Sequence, residues 1–519
     1  MGITPMEKIV IVGGGTAGWM AAIALSSHMP EKQIVVIDPS RVAPIGVGES
    51  VTGVVLQFVR YPFHGLDTAE FFRECDATLK LGIWFKDWTG LGNEYLSPID
   101  FPPDIFDQHY FEDMEDFYAL ITASGQSICE EQIHGRLMRA NRTDYFRHAG
   151  AINRQFSTAS CHFDALKFAA WLKGIARGRT NITHIDDSIE RFDQHPETGL
   201  VTKILTEKGA EVDGDFFLDC TGFRRLLFER AHRPKWEDYS KYIKVDRAIP
   251  AFEPYEDTQE IPVFTGAQAM PNGWMWQIPT QSRLGRGYVF SSKYASDEQA
   301  ISEYRAAGVA VDDSPRIIRF APGKFETQWQ GNVCALGLAG GFIEPLESTT
   351  IHIMHVQIKA LAELFLPYYT HEASQALARK YNAMMKTMYD DFVDFVSFHY
   401  RTGRSDNEFW SDCQKQESIT ATNQARIDTW EHCYPGREDF LGIQTSRFGL
   451  TTGIVVWMPM LCGLGLLKQS AALTVVNRAK AIGAARSNLA KYTQIRDMVC
   501  ANAVSQREAV AFLRGDVNG

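Results

Sequence analysis

A chain of 519 residues, 45% hydrophobic and 22% charged, has the length for a large core and the composition of a globular protein, not a disordered or fibrous one. Its 52 basic and 63 acidic residues leave a net charge of −11, which argues against nucleic acid or an anionic membrane as the main partner. Nine cysteines occur without a CxxC pair, so no zinc ribbon and no metal site is expected, and the odd count fits reduced thiols in a cytoplasm.

The chain opens directly into a strand, Lys8-Ile9-Val10-Ile11-Val12, with no secretory signal read before it. This continuous apolar run is the pattern of a buried parallel strand. Gly13-Gly14-Gly15-Thr16-Ala17-Gly18 follows, then a small-residue helix from about Trp19 to Ser27 and a second strand, Gln33–Ile37, ending at Asp38. Gly13, Gly15 and Gly18 form GxGxxG, which alone is a weak signal and could be a plain glycine turn. Between a strand and a helix it suits a dinucleotide: the glycines allow close backbone approach, and the helix N-terminus, with Thr16 and Ala17, faces a pyrophosphate. Asp38, 20 residues past Gly18, is placed for the adenosine ribose hydroxyls. The motif does not separate FAD from NAD. A second glycine-rich loop, Gly46-Val47-Gly48-Glu49-Ser50, can bring backbone close to a flavin ring. With Asp219-Cys220-Thr221-Gly222, which closes a buried strand from Asp215, it favours FAD.

Ala69–Cys75 reads as a helix. Leu79–Trp88 then alternates, with Leu79, Leu81, Ile83 and Phe85 on one face and Lys80, Gly82, Trp84 and Lys86 on the other, predicting one half-buried strand. Residues 90–130, rich in Pro, Asp and aromatics, read as a loop-rich insertion. Short strands and turns over about 195–330 predict an antiparallel sheet. From Thr349 the pattern is helical, with Ile351, Met354, Ile358, Leu361 and Phe365 at helical spacing. Gly449–Leu467 carries no charge and approaches membrane-spanning length, but Pro459 and four glycines interrupt it; it reads as buried core or pocket lining, with a membrane contact as the alternative.

The most specific signal is Gly273-Trp274-Met275-Trp276-Gln277-Ile278-Pro279, which fits Trp-x-Trp-x-Ile-Pro. Together with Gly13–Ala22, Gly46–Ser50 and Pro345-Leu346-Glu347-Ser348-Thr349, in that order and spacing, it resembles the tryptophan/indole halogenase family of flavin-dependent halogenases. The resemblance covers residues 5–365 and is weak over 90–130 and beyond 400. It implies an α/β fold: a FAD-binding, Rossmann-like module of the aromatic-hydroxylase (GR2) type over 1–365 with an added β-sheet, and a mostly helical substrate-site domain over 366–519.

It also implies a relay. Reduced FAD and O2 oxidise chloride or bromide to hypohalous acid, which passes through a tunnel to an electron-rich aromatic substrate, an indole. Lys80 matches the family's catalytic lysine; an ammonium can donate a hydrogen bond to the hypohalous acid, or a neutral amine can form a haloamine. Glu347 matches the catalytic glutamate, able to stabilise the arenium cation and take its proton. The Thr349 and Thr350 amides fall at the halide position, where free helix N–H groups favour an anion. Trp274, Trp276, Pro279 and Ser348 would shield the flavin from substrate. Gly48, Glu49, Leu338 and Ile351 complete the FAD contacts. A small aromatic substrate and a separate NAD(P)H-dependent flavin reductase are implied partners, and a homodimer is compatible. Without the family context, Lys80 would read as a solvated strand residue, Glu347 as a helix cap and the two tryptophans as core.

Two departures bear on substrate. Tryptophan-specific members usually have glycine where Thr350 stands. The tyrosine pair and downstream glutamate that hold a free amino acid are not found in the C-terminal third; Phe448, Leu450, Ile454, Val455, Val456, Trp457 and Met458 offer an apolar surface instead, so indole or a neutral indole is expected over free tryptophan. An FAD-dependent aromatic hydroxylase is the enzyme alternative, and a non-catalytic FAD-fold protein escort the non-enzyme one.

Overall fold

In the computed structural model the chain is described over residues 6–40, 49–99, 110–154, 160–256, 259–440, 452–478 and 482–516. A six-stranded sheet runs in the order Ile182–Ile185, Gln33–Ile37, Lys8–Val12, Phe216–Asp219, Val333–Ala335, Trp329–Gln330. Its neighbours pair in parallel until the last, where Trp329–Gln330 turns back on Val333–Ala335. Side chains of a strand point to alternate faces, and both faces of Lys8–Val12 are covered. Ile9 and Ile11 enter the main core with the helix Thr16–His28, while Val10 and Val12 pack on the far side with Phe217, Leu227 and Val333. This explains the unbroken apolar run.

Beside it stands a seven-stranded sheet: Ile318–Arg319, Arg247–Pro254, Arg283–Phe290, Gly273–Pro279, Thr265–Met270, Gly82–Lys86, Glu94–Pro98. It is antiparallel except where Thr265–Met270 meets Gly82–Lys86.

The single strand expected over Leu79–Trp88 is two strands in two sheets. Thr78–Lys80 pairs with Ser160–Phe163, which also pairs with Glu49–Ser50. Gly82–Lys86 joins the large sheet. The chain crosses at Leu81, whose N–H donates to Val263 and whose carbonyl accepts from Ile99. Alternation survives only in the second strand, with Ile83 and Phe85 buried and Lys86 exposed; in the first, Thr78, Leu79 and Lys80 are all buried. The expected loop-rich insertion over 90–130 instead holds the strand Glu94–Pro98 and helices Tyr110–Ala123 and Ile128–Glu131. Phe117 of the longer helix packs edge-on against Tyr492 of Ile482–Asn502, a partner too distant in sequence for local patterning to show.

The chain from Thr349 onward is mostly helical, its longest helix Ser374–Phe398. Residues 441–451, with Phe448 and Leu450, lie outside the described residues. Ile454–Gly463 is a helix containing Pro459, and its Ile454, Val455, Trp457 and Met458 are buried. Phe395, Phe398, Trp430 and Phe440 surround Trp457. These side chains are core, not the substrate-facing surface expected of them. Among the described residues, no helix is long and apolar enough to cross a membrane.

Candidate active site

A cavity of about 440 Å³ is lined by both large sheets and by the start of the helix Thr349–Ala360. On the parallel-sheet side lie Gly13–Ala17, Asp38, Cys220–Gly222 and Leu336–Leu338. Gly13 has φ 103°, and a Cβ there would fall 2.4 Å from the Cys220 carbonyl oxygen; one at Gly18 would fall 1.9 Å from the Gly13 carbonyl oxygen. Those two glycines close the turn. At Gly15 a Cβ would meet no protein atom within 4 Å, so this glycine leaves cavity space open. Gly14, unassigned in GxGxxG, is also constrained: a Cβ would lie 2.1 Å from Asp38 Cγ. The helix Thr16–His28 begins at Gly15 with no side-chain cap, leaving N–H groups for an anion. Asp38 lines the cavity with its carboxylate 3.1 Å from Lys173 Nζ. Asp219 builds the second turn, accepting from the Thr221, Leu227 and Phe228 amides at 2.8–3.0 Å. Gly48 lies outside the described residues; Glu49 opens the strand Glu49–Ser50. An uncapped helix start, open space at Gly15 and apolar walls from the second sheet fit a flavin dinucleotide.

On the antiparallel side, Trp274 and Trp276 share one face of Gly273–Pro279 and both line the cavity, whereas Met275 points into the separate core around Tyr288. Trp276 lies across Gly287 of the neighbouring strand, where a Cβ would sit 1.8 Å from the ring. Trp274 Nε1 donates to Glu344 Oε2 at 3.0 Å, and Tyr400 OH donates to the same oxygen at 2.9 Å. Burial pushes the Glu344 carboxyl up to about 7, against both hydrogen bonds. Ile278 lines the cavity; Pro279 does not, but its carbonyl accepts from Thr78 Oγ1 at 2.6 Å.

Glu347 and Ser348 are consecutive residues in the left-handed region, at φ 62° and 60°. Non-glycine residues there cost about 1 kcal/mol or more each. This kink ends one short helix and starts Thr349–Ala360. Both residues line the cavity, with Thr350, Ile351 and Leu338; Thr349 is buried behind them. Lys80, 2% exposed, donates to Ser348 Oγ at 3.1 Å. It is not a solvated strand residue. Burial pushes its ammonium down to about 8, partly opposed by Glu347. Glu347 Oε1 lies 2.9 Å from His399 Nε2, at the end of Ser374–Phe398. His399 Nδ1 is 2.9 Å from the Phe395 carbonyl oxygen, an acceptor only, so Nδ1 carries hydrogen. Nε2 thus faces the Glu347 carboxyl.

Sequence patterns thus led to Lys80, Glu347, Ser348 and the tryptophans, which the fold brings together. They missed His399, Glu344 and Tyr400, since His399 and Tyr400 follow a long helix in no recognisable motif.

A parallel sheet opening on a glycine turn, with two tryptophans and Glu347 lining one cavity and a buried lysine hydrogen-bonded to the next residue, Ser348, is the architecture of a flavin-dependent halogenase. The chain belongs to the tryptophan halogenase family, which it matches over residues 8–472. It is 32% identical to 7-chloro-L-tryptophan 6-halogenase KtzR of Kutzneria sp. (strain 744), over 98% of this chain and 99% of that one. Identity to tryptophan 7-halogenase RebH of Lentzea aerocolonigenes is 30%, over 82% of each. Among solved structures, a tryptophan halogenase from Shewanella frigidimarina superposes with a TM-score of 0.87 at 25% identity, covering 99% and 98% of the two chains. The flavin-dependent halogenase BrvH from Brevundimonas sp. BAL3 gives 0.82 at 27%, covering 98% and 99%.

Proposed function

We propose that this enzyme chlorinates or brominates an electron-rich aromatic ring, an indole, with Lys80 holding hypohalous acid and Glu347 receiving the ring proton. The observation that carries this reading is the burial of Lys80 one hydrogen bond from Ser348, next in sequence to Glu347, which shares the cavity with Trp274 and Trp276. Reduced FAD, which the glycine turn and Asp38 would hold, would with O2 supply the oxidising power that turns halide into hypohalous acid. The residues around it divide the remaining work. Free N–H groups at Thr349 and Thr350 open a helix and attract the halide. Trp274 and Trp276 keep organic substrate from the flavin, the former fixed by Glu344. Lys80 receives the hypohalous acid, either as an ammonium that donates a hydrogen bond to it or as an amine that takes up the halogen. With Oε1 turned to His399, Glu347 keeps Oε2 for the arenium proton.

A separate NAD(P)H-dependent flavin reductase supplies the reduced flavin. Residues 1–365 serve as the FAD module and 366–519 complete the substrate site. The names of KtzR, RebH and the Shewanella enzyme specify tryptophan, but the missing tyrosine–glutamate set favours a neutral indole here, since unpaired buried charges of a zwitterion cost several kcal/mol. The test is one vessel holding equimolar indole and tryptophan with chloride or bromide, FAD and a generic reductase, read by mass spectrometry. Halide-dependent haloindole is expected as the main product. Hydroxylated product without halide dependence would overturn the halogenase chemistry, and mainly halotryptophan the substrate assignment.

A further inference from the structure

Lys80 stands at one end of a chain of hydrogen bonds that runs through three hydroxyls of the cavity wall and leaves the cavity at its far end. Lys80 Nζ donates to Ser348 Oγ at 3.1 Å, and Ser348 Oγ to Ser50 Oγ at 3.0 Å. Ser50 Oγ is 2.7 Å from Thr265 Oγ1, which is 2.9 Å from His162 Nε2. His162 Nδ1 is 3.1 Å from Thr78 Oγ1, and Thr78 Oγ1 donates to the Pro279 carbonyl at 2.6 Å. All six side chains are buried, and each finds a hydrogen-bond partner within the chain.

The polarity of this chain is fixed from its far end. A carbonyl only accepts, so the Thr78 proton is committed to Pro279 and Thr78 must accept from His162 Nδ1–H. Burial, reinforced by the Lys80 charge, holds His162 well below its usual range and hence neutral, which makes Nε2 an acceptor for the Thr265 hydroxyl. Thr265 then accepts from Ser50, and Ser50 from Ser348. Every hydroxyl proton points from Lys80 toward His162. Shifting each proton by one bond converts Lys80 to an amine and His162 to an imidazolium, and the reversed chain is again fully satisfied.

We infer that Ser348, Ser50 and Thr265 form an oriented proton relay that lends a Lys80 proton to His162, the weaker base, for the moment of attack and returns it afterwards. The inference rests on the halogenation reading above and assigns His162 as a positioning and proton-holding residue outside the cavity. Its chemical use is specific. An ammonium has no lone pair, whereas the amine can attack hypohalous acid: the N–halogen bond forms as the O–halogen bond breaks, and the departing hydroxide takes an amine proton to leave as water. Other titratable groups facing the relay are Glu347, toward Lys80, and the Cys161 thiol, pushed up to about 12 by burial and itself faced by Arg60.

Two measurements test it on the FAD-loaded enzyme. First, ¹⁵N-histidine labelling resolves ring protonation, and His162→Gln identifies the His162 signals by their loss. Nδ1 is expected to be protonated and Nε2 bare; the opposite tautomer overturns the relay. Second, Thr265→Val removes one hydroxyl while leaving Lys80 and His162 in place. With Lys80 near 8, about a tenth of it is neutral at pH 7 without the relay. Halogenation by Thr265→Val and His162→Gln should therefore fall by up to about tenfold at pH 7, with the loss gone near pH 9.5, where Lys80 is neutral without help. An equal loss at both pH values, or no loss, refutes the relay in favour of a structural role. A wild type that makes no halogenated product strikes the activity reading instead, and the tautomer still decides the relay.

Discussion

Lys80→Met should make the protein more stable near neutral pH while ending halogenation. Methionine has nearly the length of lysine and no charge to desolvate. Burial takes the Lys80 ammonium from 10.5 to about 8, a displacement worth about 3 kcal/mol. The hydrogen bond to Ser348 offsets about 2 kcal/mol of that, so the variant gains about 1 kcal/mol at pH 7. The sign follows from the direction of the shift. A cation whose folded pKa lies below its unfolded value destabilises the fold wherever it is charged in both states, in full below about 8. The penalty fades as pH rises from there to 10.5, where both states are neutral. Above that only the lost hydrogen bond remains, and the variant should be less stable by about 1 kcal/mol. Thermal melts of both FAD-saturated proteins at pH 7 and pH 10.5 read this as a crossover of about 1–2 °C each way. A variant less stable at pH 7, or a Tm difference that ignores pH, would refute a buried, desolvated Lys80.

Two further outcomes follow from the same geometry. Gly15→Val should abolish FAD binding, measured by fluorescence titration, because its side chain enters space that the protein leaves empty; affinity within a few-fold of wild type would show that the pyrophosphate lies elsewhere. Glu347→Gln should slow halogenation by about 10²–10⁴-fold with little change in melting, since the amide can still donate to His399 Nε2, and a wild-type rate would reassign Glu347 to shaping the kink.

Where a residue's role depends on neighbours in sequence, it was legible. The alternation of strand, glycine turn and helix announces the parallel sheet, and the paired tryptophans of Gly273–Pro279 announce the cavity wall. Lys80 shows the limit: its alternation with Leu79 and Leu81 suggests a wet face, but the crossing at Leu81 places Thr78–Lys80 in a different sheet with no solvent side. The apolar stretch around Trp457 could be read as pocket or core, and only the aromatic side chains of three other segments decide for core. His399 and His162 reach the lysine–glutamate centre across the fold, through contacts that no periodicity encodes.

The bed of Trp276 on Gly287 carries an evolutionary consequence. With a Cβ at 287 falling 1.8 Å from the ring, any larger residue there is barred while the tryptophan remains. A smaller residue at 276 alone leaves a hole in the cavity wall. Each single step is disfavoured although the paired exchange is sterically consistent, so the two sites are coupled by reciprocal epistasis. Lineages that reshape this wall would have to change both positions together, and a mutant library that varies one site at a time would mistake a linked pair for two immovable residues.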